Sequence, residues 1–199
     1  MSVEEKRNYI AKIAAEVFFA KGYKQSSLYD ISVKGNISKA GIYHYFKTKE
    51  DILSYILLKN TERGIRALKD CLKANQRRKV DAKESFTDLV KTYVTYLLKN
   101  RKVSLLVLRE RHQLSGRNRK ALLQQERSIF LLLKNELKKV PNLNRKINLN
   151  LISFQIISVI HWMGYWFKDK GGLNEAEAVG QIIHILFNGI LDRENRQRP

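Results

Sequence analysis

Cysteine is nearly absent from this sequence, and its scarcity excludes several kinds of site. The one cysteine, Cys71, has no second cysteine with which to form an internal disulfide, and it forms no cysteine cluster that would hold a metal. Two prolines and ten glycines in 199 residues provide few chain breakers. Apolar residues recur at helical rather than alternating spacing along nearly the whole chain. We therefore predict an all-α protein, with no metal and no cofactor.

Long uncharged stretches are also rare, and one of them is long enough to cross a bilayer, residues 147–167. At 100° per residue this segment places four polar residues on one side of a helix: Asn150, Ser153, Ser158 and His161. The opposite side is apolar and includes Ile156 and Val159. We expect a helix buried among other helices. The first ten residues lack the apolar core of a signal peptide, so we expect a cytoplasmic protein without a membrane partner.

Acidic residues are the minority among the charged side chains. The chain has 38 Lys and Arg against 19 Asp and Glu, a net charge of +19, which favours an anionic partner. Residues 1–60 contain ten basic and six acidic residues, so most of the excess lies in the remainder. Two interpretations of that excess stay open. It either attracts an acidic ligand or DNA, or it is a solvated basic surface.

The first 50 residues carry the pattern of short capped helices. An apolar stripe from Ile10 to Phe18 predicts a first helix that ends at Gly22. Ser27 and Asp30 have the spacing of a capping box for a second helix. Gly35-Asn36 suits a tight turn, after which Ser38 caps a third helix. Two short helices joined by such a turn predict a helix-turn-helix, whose second helix is sized for the major groove of DNA.

The third helix combines small residues with polar-tipped rings. Ala40 and Gly41 would let its exposed face approach base edges, while Tyr43 and His44 would donate to phosphate oxygens. Lys49, at the capped start of a fourth helix, is placed to bind a phosphate. The alternative is that the aromatic run at residues 43–46 is only a corner of the core.

The stretch from Tyr9 to Leu53 resembles the DNA-binding domain of TetR-type bacterial transcriptional regulators. The resemblance is carried by Ile31, Ser38-Lys39, Tyr43-His44-Tyr45-Phe46 and Lys49-Glu50-Asp51-Ile52. The chain departs at Ser32, Asn36 and Gly41, and the last departure removes a hydroxyl that family members often direct at DNA. The resemblance therefore implies base reading by Lys39 and Ala40. The residues predicted to contact DNA are Ser27, Ser38, Lys39, Ala40, Gly41, Tyr43, His44 and Lys49.

The resemblance implies a three-helix DNA-binding domain over residues 1–50 and a larger helical ligand-binding and dimerisation domain over residues 51–199. A connecting helix at about 52–73 would join them. Later helices are predicted at about 85–100, 102–114, 118–139, 145–168 and 174–192. The last two are the expected dimer helices, with interface residues Ile156, Met163, Val179, Ile183 and Phe187. The alternative, that the final apolar stripe faces only its own core, stays open.

Residues 162–168, 171–173 and 175–189 bear a weaker resemblance to a subgroup whose members commonly sense acyl-CoA thioesters. A basic larger domain would suit the phosphates of coenzyme A, and an apolar cavity would suit an acyl chain. The predicted ligand-binding residues are Tyr93, Tyr96, Phe130, His161 and Trp162. The alternative is that these aromatic residues are core and that His161 is a satisfied core histidine.

We expect a homodimeric, ligand-responsive repressor that binds a near-palindromic double-stranded DNA operator. A small hydrophobic or acyl-CoA-like effector would release it. Two other classes remain open: a helical enzyme that acts on acyl-CoA and is tethered to DNA, and a basic DNA-coating protein without an effector. The four histidines lack the HExxH spacing of a metal site, and the chain has no GxSxG nucleophile motif. We therefore expect no enzymatic activity.

Overall fold

The computed structural model describes residues 2–144, 146–167, 172 and 174–190, without the side chains of residues 189 and 190. Within these ranges the chain forms nine α-helices, one 3-10 turn and no strand, which confirms the all-α prediction. The helices are α1 (Val3–Lys21), α2 (Leu28–Gly35), α3 (Lys39–Tyr45), α4 (Lys49–Arg78), α5 (Ala82–Lys99), α6 (Arg101–Glu110), α7 (Gly116–Leu137), α8 (Leu149–Trp166) and α9 (Glu175–Ile190). The 3-10 turn, Arg111–Gln113, lies between α6 and α7.

The predicted helices are all present, and side-chain caps account for two of the boundary differences. The connecting helix α4 starts before residue 52 because Thr48 Oγ1 accepts a hydrogen bond from the Asp51 amide at 3.0 Å. α8 starts four residues after the predicted position because Asn148 Oδ1 accepts from the amides of Asn150 and Leu151. Residues 145, 168, 191 and 192, which the predicted boundaries include, lie outside the described residues.

The chain divides into two compact units. The N-terminal unit comprises residues 2–63 and 100–126, and the C-terminal unit comprises residues 64–99 and the described residues from 127 onward. α6 belongs to the N-terminal unit because Leu106 joins the core formed by α1 to α4, as does Leu114 after the 3-10 turn. These units are defined by packing, whereas the predicted division after residue 50 concerns function and stays a prediction.

The N-terminal unit has a core made from one face of each helix. Ile10 and Phe18 of α1, Ile31 of α2, Ile42 of α3 and Leu53 of α4 are all fully buried. Burying an aliphatic or aromatic side chain of this size stabilises a fold by about 1.5–3 kcal/mol. Because α2 and α3 are short, these buried contacts determine which of their faces remain exposed.

The C-terminal unit is built around α5, which packs against α8 and α9. Its core includes Phe86, Leu133, Ile160 and Met163. The helix over residues 149–166 is buried on one side, as predicted, but the predicted orientation was partly wrong. Ser153 is fully buried, whereas Val159 is 43% exposed. The serine is tolerated in the core because its hydroxyl donates to the Leu149 carbonyl at 2.7 Å.

No helix in the described part of the chain combines the length and the apolar character that a membrane crossing requires.

Candidate functional site

Hydrogen bonds fix the start of α2. Ser27 Oγ accepts from the Asp30 amide at 3.2 Å, and the Asp30 carboxylate accepts from the Ser27 amide at 2.8 Å, so both bonds of the predicted capping box form. Lys21 donates to the other carboxylate oxygen of Asp30 at 2.5 Å. The hydrogen bond from Lys21, supported by those from Ser27, lowers the pKa of Asp30 to about 2. The exposed serine is therefore already engaged in holding the helix start.

A left-handed turn directs α3 away from α2. Asn36 adopts φ 47° and ψ 50°, as the sequence predicted for this turn. Ser38 caps α3 by accepting from the Gly41 amide at 3.0 Å. Because Ile42 is buried, the opposite face of α3 is exposed. That face presents Lys39, Ala40, Tyr43 and His44, which together supply a cation, a small surface and polar tips for phosphate and base contacts.

Gly41 differs from its neighbours on α3 because it is half-buried. A Cβ atom at this position would lie 3.1 Å from Ser38 Oγ and 3.2 Å from Ile37 Cγ2. A side chain at position 41 would therefore point toward the turn, where it would crowd Ile37. Ala40 is the small residue that lies on the exposed surface of the helix.

The aromatic run divides between surface and core. Tyr43 is 54% exposed, whereas Phe46 is buried and packs edge-on against Tyr55 with ring centroids 5.5 Å apart. Tyr45 is half-buried and contacts His44 in the same edge-on way, at 4.8 Å. Both sequence interpretations therefore apply, to different residues: Phe46 is a core corner, and Tyr43 and His44 lie at the surface.

Lys49 lies where its ammonium group ties α4 to the turn between α1 and α2. Its Nζ donates to the carbonyls of Ser26 at 2.7 Å and Tyr23 at 2.8 Å, and it lies 4.4 Å from the centroid of the Tyr23 ring. Burial lowers the pKa of Lys49, and the nearby Asp30 carboxylate partly opposes that effect. Phosphate binding by Lys49 stays a prediction. The structure also shows a second role, because the ammonium group joins the start of α4 to two backbone carbonyls of the turn.

Two exposed residues of α2 were missed by the sequence analysis. Tyr29 and Val33 are each more than half exposed and are four positions apart, so they share one face of the helix. The Lys39 ammonium lies 5.1 Å from the centroid of the Tyr29 ring, within cation–π range. The sequence pattern that could have identified them is the pair itself, two large apolar residues on the side of α2 opposite the apolar Ile31.

Two carboxylates attach the connection between α6 and α7 to the same part of the N-terminal unit. Glu50, at the start of α4, accepts from the amide and hydroxyl of Ser115, both at 3.0 Å. Glu110 is buried at the end of α6, and its carboxylate accepts from the Tyr23 amide at 3.4 Å. Neither pair could be recognised from a local sequence pattern, because Glu50 and Ser115 are 65 positions apart and Tyr23 and Glu110 are 87 positions apart.

The residues predicted for the dimer interface lie inside the C-terminal unit instead. The set Ile156, Met163, Val179, Ile183 and Phe187 is at most 8% exposed and belongs to the core cluster of this unit. The predicted interface is corrected here, because side chains that are buried in the core of their own unit cannot form a surface for a second copy. The apolar stripe faces its own core, as the alternative interpretation held.

Another apolar surface of α8 and α9 is exposed. Large exposed side chains follow one side of these helices: Leu151, Phe154, Val159, Trp162, Trp166 and Ile185. A groove of about 840 Å³ lies between the two helices on this side, and Leu151, Phe154 and Ile185 contribute to its lining. An exposed apolar area of this extent is typical of an interface rather than of ordinary protein surface.

Two of the predicted ligand-binding residues meet in the C-terminal unit. Tyr93 Oη and His161 Nε2 are 2.6 Å apart and join α5 to α8. Tyr93 is buried in a mainly apolar core, and His161 is half-buried. Tyr96 packs on Gly64, where an added Cβ would approach its ring to 3.0 Å. Phe130 instead stacks on the exposed Phe154 with centroids 4.6 Å apart, and Trp162 is 64% exposed. Of the five, Tyr93 and His161 are therefore joined by a hydrogen bond.

Among the residues that the structure describes, no three histidine, cysteine, aspartate or glutamate side chains are grouped so that they would hold a metal ion.

Two sequence models of known families match the chain. The model described as "Bacterial regulatory proteins, tetR family" matches residues 10–56. The model described as "Tetracyclin repressor-like, C-terminal domain" matches residues 79–190. The first match covers the helix-turn-helix, and the second covers α5 to α9.

Individual relatives agree with this result. The HTH-type transcriptional regulator HbdR of Aromatoleum sp. (strain CIB) is 24% identical over 192 residues, which are 92% of this chain and 80% of that protein. The TetR family transcriptional regulator PfmR from Thermus thermophilus is similar in structure, with a TM-score of 0.80 and 25% identity over 92% of this chain and 99% of that one. FadR from Bacillus subtilis, solved in complex with stearoyl-CoA, has a TM-score of 0.72 and 20% identity over 92% and 98% of the two chains, which shows a common fold.

Proposed function

We propose the following function for this chain, which belongs to the tetR family of bacterial regulatory proteins. It is a homodimeric transcriptional repressor that binds a near-palindromic operator through α3 and is released by an apolar or acyl-CoA-like effector. The observation that carries this proposal is the exposed face of α3, with Lys39, Ala40 and Tyr43 presented after a tight left-handed turn. That arrangement suits insertion of a helix into the major groove.

A near-palindromic operator has two half-sites related by two-fold symmetry, and a homodimer can bind both of them. One arrangement of two copies would place their α3 helices about 34–36 Å apart, one turn of DNA, so that both enter the major groove. The exposed apolar stripe on α8 and α9 supports a second copy as its occupant, because burying it would remove Leu151, Phe154 and Ile185 from water. A stable interface of this kind buries at least about 1,000 Å².

Effector binding would shift the dimer to another spacing of the two α3 helices. A ligand can do so only through different affinities for the two arrangements. α4 contributes residues to both units and is continuous from Lys49 to Arg78, which supports it as the element that transmits the change. The hydrogen bonds of Glu50 and Glu110 would pass a movement of the α6–α7 connection to the start of α4 and to the turn at Tyr23.

The C-terminal unit supports an effector with an apolar chain. Tyr93 places a phenol in a core that is otherwise mainly apolar, and its hydroxyl meets the imidazole of the half-buried His161. Such a pair can orient one polar group of a ligand whose remainder is apolar. The FadR relative binds stearoyl-CoA, and we propose a long-chain acyl-CoA or a comparable anionic thioester for this chain.

The decisive experiment is to select genomic fragments with purified protein and then measure their release by acyl-CoAs of increasing length. We expect effector affinity to increase by about 0.8 kcal/mol per added methylene until the site is full, with coenzyme A alone as the control. Release should be followed with labelled DNA. The tryptophans Trp162 and Trp166 are exposed on α8, so their fluorescence would report the proposed dimer face. If no chain length releases the DNA, the acyl-CoA proposal is wrong. If no fragment is selected, the repressor proposal fails.

The Tyr93→Phe variant tests the effector site directly. It removes the hydroxyl that meets His161 and keeps the ring in the core. We expect unchanged operator affinity but weaker response to the effector. An identical effector response in the variant would show that this pair has no part in ligand binding.

A further inference from the structure

The N-terminal unit contains a groove that neither the exposed face of α3 nor the α8–α9 surface uses. It has a volume of about 420 Å³ and is lined by residues of α1, α4 and α6. Its floor includes Ala11 and Ala15 of α1 and Ile56 of α4, all of which are buried. The two alanines leave the space that larger residues would fill. The volume falls in the range of small-molecule sites in proteins, about 300–1,000 Å³.

Cationic side chains surround this floor. They come from all three helices: Lys12 from α1, Lys59 and Arg63 from α4, and Lys102 from α6. Glu16 is the one acidic residue among the described residues that line the groove, and it is already paired with Lys34 at 3.0 Å. The groove wall therefore has a clear excess of positive charge, which raises the local concentration of anions in a concave site.

The existing partner of Lys59 does not compete strongly with an anion. Lys59 Nζ lies 3.3 Å from the Glu4 carboxylate, but the two side chains are 40% and 58% exposed. Exposed pairs of this kind contribute little to stability. By contrast, a phosphate group can accept charge-assisted hydrogen bonds from several of the groove cations at once, and such bonds are stronger than neutral ones. A ligand with several negative charges can therefore displace Glu4 at little cost.

We propose that this groove binds a compact polyanion, a diphosphate or triphosphate group, with a small flat or apolar body against the alanine floor. The guanidinium of Arg63 suits two phosphate oxygens at once, while the three lysines act as point charges around them. A ligand held in this way would link α1, α4 and α6. It would stabilise the unit that carries α3, at a site separate from the Tyr93–His161 pair.

The test uses the full chain with two probes, inorganic pyrophosphate and adenosine diphosphate, measured by calorimetry and by the thermal unfolding midpoint. We expect both to bind and to raise the midpoint, with binding that weakens as salt increases. If the floor holds the body of the ligand, adenosine diphosphate will bind more tightly. Equal affinities would restrict the proposal to the phosphate group alone.

The groove variant is Arg63→Glu with Lys102→Glu. Its matched control is Arg117→Glu with Lys120→Glu, which changes the charge equally at two exposed positions of α7 in the same unit. Because the groove variant removes two charged donors and adds two repelling carboxylates, we expect it to weaken pyrophosphate binding by at least about tenfold. The control should change it by less than about threefold. Lys12→Gln, a single neutralisation at an exposed position, should weaken binding without affecting the fold, as judged by helical content.

Two results would overturn the proposal. One is that neither probe binds, and the other is that the groove variant and its control lose binding equally. If neither probe binds and the groove variant also loses operator binding, these cations contact DNA phosphates instead. Because the probes are measured without operator or effector, their failure would leave the proposed repressor function standing.

Discussion

For α3 and α8 the sequence predicted which face of the helix would be exposed, and the structure agrees better for α3. α3 has one buried apolar position, Ile42, between polar and small residues, so only one orientation hides its apolar side. α8 is apolar on two sides. It buries Ile156 and Met163 and exposes Leu151 and Trp162. A single apolar face predicts its own orientation, whereas a helix with two apolar faces does not show which of them the core will take.

Ile183 and Ile185 give the largest test of this comparison. The two are on α9 and differ by two positions, but Ile183 is 8% exposed and Ile185 is 70% exposed. Ile183→Asp buries an unpaired carboxylate in the core and should destabilise the protein by about 4 kcal/mol or more. Ile185→Asp should leave the fold intact and separate the proposed dimer. Chemical unfolding and sedimentation velocity measure the two outcomes.

The same pair of variants can contradict the revised interface. If Ile185→Asp remains a dimer at micromolar concentration, the exposed stripe is not the interface. If Ile183→Asp is folded and monomeric, the original assignment of the interface to the buried stripe was correct after all.

Ala40 provides the corresponding test for α3. Ala40→Leu adds bulk to the exposed face, so specific operator binding should fall to the nonspecific level, a loss of at least about 1,000-fold. Ala20→Leu is the control, because Ala20 is an alanine in the last turn of α1 that lies outside the buried core. Both variants should keep their helical content. Unchanged operator affinity in Ala40→Leu would remove α3 from the DNA interface.

Local patterns explain why so much of the N-terminal unit could be predicted. The Ser27–Asp30 capping box, the Asn36 turn and the Gly22 helix end all depend on residues within four positions of one another. The Glu50–Ser115 and Tyr23–Glu110 contacts depend on residues far apart in sequence, and no short pattern contains them. The same limit explains Phe130, whose helix was predicted but whose stacking on Phe154 was not.

Lys49 and Lys39 test whether a half-buried and an exposed lysine of the N-terminal unit have different roles. Lys49→Met removes the ammonium that donates to the Tyr23 and Ser26 carbonyls, although the Tyr23 carbonyl keeps a hydrogen bond from the Ser26 hydroxyl at 2.7 Å. The loss should cost about 1–3 kcal/mol of folding stability. Lys39→Met should leave stability unchanged and weaken operator binding by about 1–3 kcal/mol. Thermal unfolding and DNA titration separate the two. If Lys49→Met retains full stability and only reduces the salt dependence of DNA binding, its role is phosphate contact alone.

Asp30 should give the smallest effect, and it depends on pH. The hydrogen bonds from Lys21 and Ser27 lower the pKa of Asp30 from 3.8 to about 2. A carboxyl group with a lowered pKa in the folded state stabilises the fold above its unfolded pKa, and this contribution disappears as the pH falls through the folded value. Asp30→Asn should therefore lower the unfolding midpoint at pH 5 and above. The difference from the wild type should shrink between about pH 4 and pH 2.

Lys21→Met identifies the cause of this pH dependence. The Lys21 ammonium is the largest contributor to the lowered pKa of Asp30, and in this variant the change from Asp30 to Asn should have less effect at pH 5. Because the Lys21 side chain is 55% exposed, the wild-type difference should also shrink in high salt. A difference that persists unchanged at pH 2 would mean that Asp30 stabilises α2 through its shape and its neutral hydrogen bonds. The capping box would then function without the charge that Lys21 stabilises.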